Sequence, residues 1–122
     1  MKTILIVEDN PKNMKLVRDL LQHHGHATLE AETGEAGLRL ALDRRPDLVL
    51  MDIQLPGVDG LVLTRRLRER GAPPTPVIVA FTAFAMKGDR ERFLAAGCDG
   101  YIGKPIDVAT FADEVRALLP AR

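Results

Sequence analysis

The stretch that decides the fold is Leu48-Val49-Leu50-Met51-Asp52, a run of four apolar residues that ends on an acid. A continuous apolar run of this length is typical of a strand covered on both faces, as in a parallel sheet. An ionised carboxylate at the end of such a strand is costly unless it has a cation, a hydrogen-bonding cage or a chemical task, so Asp52 needs an explanation. A similar run at residues 3–7 ends on the carboxylate pair Glu8 and Asp9.

The composition is that of an ordinary globular chain. The 122 residues are 46% hydrophobic and 28% charged, which suits a single domain over residues 1–122 with no output domain. Seventeen basic residues balance seventeen acidic ones, so no overall positive field attracts nucleic acid. The single cysteine, the absence of a signal-peptide pattern and the lack of a membrane-length apolar run indicate a cytoplasmic protein with no membrane partner.

Apolar periodicity predicts strands and helices in alternation along the chain. Strands are predicted at residues 3–7, 27–31, 48–51, 77–81 and 101–102. Helices are predicted at residues 13–22, 35–43, 60–70 and 86–95, and a last helix carries Val108, Phe111, Val115 and Leu118 on its apolar face.

The alternation defines a fold class. Five β-α units, with no hairpin signal between the apolar strands, predict an α/β doubly wound (βα)5 flavodoxin-like fold. The expected five-stranded parallel sheet has the order 2-1-3-4-5 and helices on both faces. In such sheets the functional site lies at the carboxyl ends of the strands, near the point where the strand order reverses.

Polar side chains follow four of the five predicted strands. Glu8 and Asp9 follow the first strand, Asp52 the third, Thr82 the fourth, and Lys104 lies just beyond the fifth. Because the carboxyl ends of parallel strands share one edge, all five residues should meet there. The first and third strands are neighbours in the expected order, which predicts that Asp9 lies beside Asp52.

The residue types suggest phosphoryl chemistry with a metal. Three clustered carboxylates repel one another unless a cation joins them, and hard oxygen ligands with open positions favour Mg²⁺. Asp52 is the best placed nucleophile, able to form an aspartyl phosphate whose charge magnesium would offset. Lys104 offers a compact positive charge and Thr82 a hydroxyl donor, and both could contact the same phosphoryl group.

These motifs resemble the receiver domains of two-component response regulators, over essentially the whole chain. The matching stretches are Val7-Glu8-Asp9-Asn10, Met51-Asp52-Ile53-Gln54-Leu55-Pro56, Phe81-Thr82-Ala83 and Tyr101-Ile102-Gly103-Lys104-Pro105. As a combination they are highly specific. Asn13-Met14-Lys15-Leu16 and residues 82–89 are more narrowly similar to single-domain receivers that control cell fate, which implies a role in the control of histidine kinases and the cell cycle.

The resemblance implies a site centred on Asp52 as the phosphoacceptor. It further implies that Asp9, Asp52 and the backbone carbonyl of Gln54 bind Mg²⁺ directly, while Glu8 acts through water. Thr82 and Lys104 would detect the phosphoryl group.

The resemblance also implies a switch and a class of partner. Tyr101 would be the aromatic switch residue, and the Lys104-Pro105 peptide bond would be cis. The partner would be a histidine kinase or a histidine phosphotransferase, with an adaptor protein as a possible target. Such a protein is a phosphoacceptor in signalling and is not an enzyme, apart from its own phosphorylation and dephosphorylation.

Other functions remain open at this stage. A phosphatase that forms an aspartyl phosphate would need the same carboxylate, magnesium and lysine, but the chain has no cap insertion and carries Gln54 two positions after Asp52. A receiver module cut from a hybrid histidine kinase and an interaction module that no longer switches are further alternatives.

Several polar residues have simpler interpretations. His23, His24 and His26 are better explained as a solvated helix end than as a metal site, because no carboxylate or cysteine lies nearby at ligand spacing. Cys98 is more typical of a small buried residue than of a redox centre. An aromatic such as Tyr101 often only packs, and the other site residues are what favour a switch.

Overall fold

A five-stranded parallel sheet forms the centre of the molecule. The computed structural model describes residues 2–55, 58–71, 75–83 and 89–120. The strands are β1 (Thr3–Val7), β2 (Ala27–Ala31), β3 (Leu48–Asp52), β4 (Val77–Thr82) and β5 (Gly100–Gly103). Their order is β2-β1-β3-β4-β5 and all neighbours are parallel, which confirms the predicted topology.

Five helices connect the strands. They are α1 (Pro11–His23), α2 (Gly34–Arg44), α3 (Gly60–Arg70), α4 (Asp89–Ala95) and α5 (Phe111–Leu118). Side-chain oxygens satisfy free amides at three helix starts: Asn10 caps α1, Thr33 caps α2 and Asp59 caps α3. No helix in the described ranges has both the length and the apolar character needed to cross a membrane.

The core consists of two layers, one on each face of the sheet. Alternate strand residues point to opposite faces, so Leu5 and Val49 pack with α2 and α3 while Ile4 and Leu50 pack with α1 and α5. All four of these side chains are fully buried. Coverage on both faces explains why the first, third and fourth strands are apolar without alternation.

The structure corrects two details of the sequence prediction and leaves a third untested. Val108 was expected on the apolar face of the last helix, but α5 begins at Phe111 and Val108 lies in the preceding turn, 58% exposed. A short antiparallel ribbon pairs Gln54–Leu55 with Val58–Asp59, where no hairpin was expected. The predicted start of the fourth helix at residue 86 lies outside the described residues, which resume at Asp89.

Close backbone contact at the start of α3 restricts one position to glycine. A Cβ atom added to Gly60 would lie 2.5 Å from the carbonyl oxygen of Asp52 and 2.8 Å from the Cα atom of Ile53. Both obstacles are backbone atoms, and the Gly60 amide also donates a hydrogen bond of 3.2 Å to the Ile53 carbonyl. The chain after Asp52 therefore depends on the absence of a side chain at residue 60.

We expect Gly60→Ala to lower the free energy of unfolding by about 1–3 kcal/mol, because the backbone must shift to relieve the contact. Gly103→Ala is the matched control, since an added Cβ there would lie 4.0 Å from its nearest neighbour, the Thr82 carbonyl oxygen. Urea unfolding followed by circular dichroism measures both variants. Equal stability of the two variants would contradict the close packing inferred at Gly60.

Candidate functional site

Strand register brings the predicted site residues to one edge of the sheet. Val7 pairs with Met51, so that Glu8 and Asp52 follow neighbouring positions on β1 and β3. Thr82 ends β4 and pairs with Gly103 of β5, and Lys104 comes directly after this pair. All of these residues therefore lie at the carboxyl end of the sheet.

A lysine side chain joins two buried carboxylates at this edge. The Lys104 Nζ atom lies 2.9 Å from Oε1 of Glu8 and 3.2 Å from Oδ2 of Asp52. Glu8 and Asp52 are 1% and 2% exposed, so neither carboxylate can rely on water for its solvation. Pairing with the ammonium group is what makes two buried acids tolerable in the same place.

Two contacts fix the position of Lys104. Its backbone amide donates a hydrogen bond of 2.7 Å to the carbonyl oxygen of Thr82. Its ammonium group lies 4.7 Å from the centre of the Phe81 ring, within range of a cation–π interaction. The Lys104-Pro105 peptide bond is cis, as the resemblance implied.

The carboxylate of Asp52 is held from both sides. The backbone amide of Gln54 donates a hydrogen bond of 2.9 Å to Oδ1, while Oδ2 faces Lys104. These two contacts give the carboxylate a defined orientation at the end of β3. A metal-binding role for the Gln54 carbonyl stays a prediction.

The three acids form a group that suits a metal ion. One carboxylate oxygen from each of Glu8, Asp9 and Asp52 lies within 4.8 Å of the others. Within the described part of the chain, this is the one group of three or more acidic, histidine or cysteine ligands that is so close. Asp9 is exposed, which leaves the group open to water, and an all-oxygen donor set with open positions fits Mg²⁺.

Burial changes the acidity of Glu8. Removal from water raises the pKa of this carboxyl, and a hydrogen bond with Asp52 raises it further, whereas Lys104 acts in the opposite direction. The net effect is a pKa above the ordinary value for glutamate. The folded protein without a metal ion therefore holds a proton at Glu8 more tightly than the unfolded chain does.

Thr82 and Tyr101 occupy different environments. Thr82 is 1% exposed at the end of β4, and its own backbone carbonyl accepts the hydrogen bond from the Lys104 amide. Tyr101 lies on β5 with 40% of its surface exposed, and its ring centre is 6.4 Å from that of Phe93 in α4. Tyr101 therefore packs only partly and remains accessible on the surface.

The remaining candidates behave as structural residues. Cys98 is 5% exposed, and burial raises the pKa of its thiol, in agreement with a small buried side chain. His23 and His24 are exposed at the end of α1, and their rings lie edge to face, 5.4 Å apart. Burial lowers the pKa of His26, which is half-buried.

The sequence analysis missed two features of the site. The first is the Phe81 ring beside Lys104. The second is an adjoining groove of about 320 Å³. Its one signal in the sequence is Leu16, an apolar residue that does not share the helical spacing of the buried residues of α1 and is 40% exposed in the structure. The groove is lined by Leu16, Val17, Phe81, Ala83, Lys104 and Ile106, among others.

Comparison with known proteins identifies the class of protein that this fold and site define. The family model described as the response regulator receiver domain matches residues 4–116, and the chain belongs to that family. Receiver domains are signalling modules of two-component systems that interact with histidine kinases or phosphotransfer proteins.

Curated relatives narrow the comparison. The polar-differentiation response regulator DivK of Brucella anthropi is 48% identical over 118 residues, which cover 97% of this chain and 96% of the relative. DivK of Brucella ovis is 47% identical over the same shares of the two chains.

Solved structures agree with the fold and with the nature of the site. The receiver domain of the sensor histidine kinase PA1611 from Pseudomonas aeruginosa, described with a magnesium ion coordinated in its active site cleft, is 35% identical, with a TM-score of 0.85 and 96% of each chain covered. The chemotaxis protein CheY4 of Vibrio cholerae, 23% identical with a TM-score of 0.90 over 98% of this chain and 99% of its own, supports the fold alone.

Glu8→Gln tests the buried acid. The folded state binds the Glu8 proton more tightly than the unfolded chain does. In magnesium-free buffer, the contribution of Glu8 to the free energy of unfolding of the wild type should therefore decrease as the pH rises from the ordinary glutamate pKa through the raised pKa of Glu8. Glutamine cannot ionise, so the variant should lack that contribution and gain stability relative to the wild type as the pH rises above the ordinary glutamate pKa.

Urea unfolding at a series of pH values measures this difference, and Asp113→Asn, at an exposed acid on α5, is the control. Added magnesium should stabilise the wild type more than Glu8→Gln. Identical pH profiles for wild type and Glu8→Gln would show that Glu8 titrates as it does in the unfolded chain.

Proposed function

We propose that this protein is a stand-alone, phosphorylation-dependent switch in which Asp52 accepts a phosphoryl group from a phosphohistidine on a partner. The observation that carries the proposal is the buried Asp52 carboxylate, which faces Lys104 at 3.2 Å inside the three-acid group. A role without an output domain is supported by the DivK proteins, which match this chain over 96% of their own length.

The transfer step follows from the chemistry of the donor and acceptor. An Asp52 oxygen attacks phosphorus, the phosphorus–nitrogen bond breaks, and the electron pair of that bond returns to the imidazole of the partner. Asp9 and Asp52 would hold Mg²⁺, with Glu8 acting through water, and the ion supplies charge neutralisation for the phosphoryl oxygens. Lys104 is close enough to exchange one of its carboxylate contacts for a phosphoryl oxygen.

The groove beside Lys104 supports a docking site for the phosphodonor. Leu16 and Ala83 are exposed, and together with Ile106 they surround an opening that reaches Lys104. A helix that presents its histidine from a kinase or phosphotransferase could bury apolar residues there and bring the phosphoryl group to Asp52. The groove thus offers both affinity and access.

Thr82 and Tyr101 are proposed to convert phosphorylation into a change of surface. Thr82 is buried at the edge of the site, whereas Tyr101 is part of the exposed surface beside α4. A phosphoryl group that draws Thr82 inward would leave space for Tyr101 to turn, and the surface formed by α4 and β5 would change. The similarity to DivK supports histidine kinases or an adaptor as the proteins that detect this surface.

Phosphorylation of Asp52 can be tested with a small acyl phosphate. The wild type, incubated with acetyl phosphate and magnesium, should gain the mass of one phosphoryl group, and the gain should disappear when magnesium is chelated. Asp52→Ala should gain no mass, because it lacks the nucleophile. Asp113→Ala, at an exposed acid on α5, should be labelled as the wild type is. An unlabelled wild type, or equal labelling of Asp52→Ala, would refute the proposal.

Tyr101→Ala separates phosphorylation from its output. The Tyr101 side chain is 40% exposed and packs against Phe93. Its removal should leave acyl phosphate labelling within about twofold of wild type, but it should reduce the change that phosphorylation causes in the surface formed by α4 and β5. Amide NMR shifts of α4 and β5 before and after labelling report that response. Full wild-type shift changes in the variant would exclude Tyr101 from the switch.

A further inference from the structure

A second groove lies on the other face of the sheet, between α2 and α3. Two cavities of about 330 and 350 Å³ have Leu42 and Arg70 in common in their linings, and we treat the pair as one channel. The channel follows α2 from Glu35 and ends at Pro76, just before the first residue of β4. It therefore runs from the carboxyl edge of the sheet, where α2 begins, toward the amino ends of the strands.

The channel has an apolar floor and a cationic rim. We refer to it as the basic groove. Its floor is formed by Leu38, Leu42 and Leu67, and its charged lining consists of four arginines, Arg39, Arg45, Arg66 and Arg70, with one acid, Glu35, at the start of α2.

The floor residues are anchored in the core. Leu38 and Leu67 are buried, and Leu42 is partly buried against the same cluster. Because Leu67 is 1% exposed and Leu38 8%, Leu42 supplies most of the leucine surface that a partner could contact on this floor.

The charge of this surface departs from that of the chain. The whole protein has a formal net charge of zero, yet residues 34–45 and 60–70 carry seven basic residues against three acids. All seven basic residues are arginines, whose planar fork binds carboxylates through paired hydrogen bonds. Within the described ranges, none of Arg39, Arg66 and Arg70 makes an ion pair with the protein itself, and all three are exposed.

We propose that the basic groove docks an acidic amphipathic helix of a partner protein. Leucine-sized side chains on one face of that helix would cover the floor, and carboxylates along its edges would pair with arginines of both α2 and α3. Charge complementarity selects this occupant, because the arginines flank an apolar strip on both sides and match the pattern of an apolar face bordered by acids. Asp52 is not among the described residues that line the groove, so this docking does not require its carboxylate.

A designed peptide serves as the probe. It has about 14 residues, with leucines at helical spacing on one face and glutamates elsewhere, and carries a fluorescent label. The control peptide replaces each glutamate by glutamine. We expect the acidic peptide to bind with a Kd of about 1 mM or tighter, more weakly as salt rises, and to shift amide NMR signals of α2 and the second half of α3. The glutamine peptide should bind at least tenfold more weakly.

Matched charge reversals locate the binding. Arg39→Glu/Arg70→Glu changes one groove arginine on each helix, whereas Arg44→Glu/Arg65→Glu makes the same change in charge on the same helices outside the groove. The first variant should lose at least tenfold in affinity and the second less than about threefold. Both should be phosphorylated by acetyl phosphate as the wild type is, which separates this test from that of the proposed function.

Each other outcome overturns the proposal. Absence of saturable binding, or equal losses in the two double variants, would remove the groove as a docking site. Displacement of the acidic peptide by short duplex DNA would show a general polyanion surface. A wild-type dimer in sedimentation analysis that dissociates in Arg39→Glu/Arg70→Glu would assign the groove to a second copy of the chain.

Discussion

The contact on which the site depends is the Lys104 ammonium group between the carboxylates of Glu8 and Asp52. Both acids are almost completely buried, and a buried acid that loses its cation costs several kcal/mol, about 3–5 in measured cases. Glu8 and Lys104 are 96 positions apart, so the pairing exists only when the ends of β1, β3 and β5 meet at the same edge. The parallel topology and the buried charges therefore support each other.

The same contact explains why the site is suited to respond to a phosphoryl group. One ammonium group cannot neutralise three carboxylates, and the exposed Asp9 leaves the group open on its solvent side. Such an excess of negative charge favours a divalent cation and, with it, a phosphoryl group. A lysine with two carboxylate partners and a neighbouring aromatic ring can exchange one contact without leaving its position.

The two faces of the sheet carry different surfaces. The groove at Leu16 and Ile106 adjoins Lys104 on the face covered by α1 and α5, whereas the basic groove lies over α2 and α3 on the other. The sheet separates the two grooves. A domain of this size therefore carries two separate grooves on which partner proteins could dock.

The sequence by itself determined the strands, their order and the edge on which the polar residues would meet. Uninterrupted apolar runs predict strands covered on both faces, and parallel strands must bring their carboxyl ends together, so Asp9 could be placed near Asp52 from pattern alone. Only the tertiary structure decided the Lys104 bridge, the Phe81 contact, the raised pKa of Glu8, the short ribbon after β3 and the exposure of Val108. These depend on distances and burial between residues that are far apart in sequence or on where a helix actually begins, and periodicity carries no information about either.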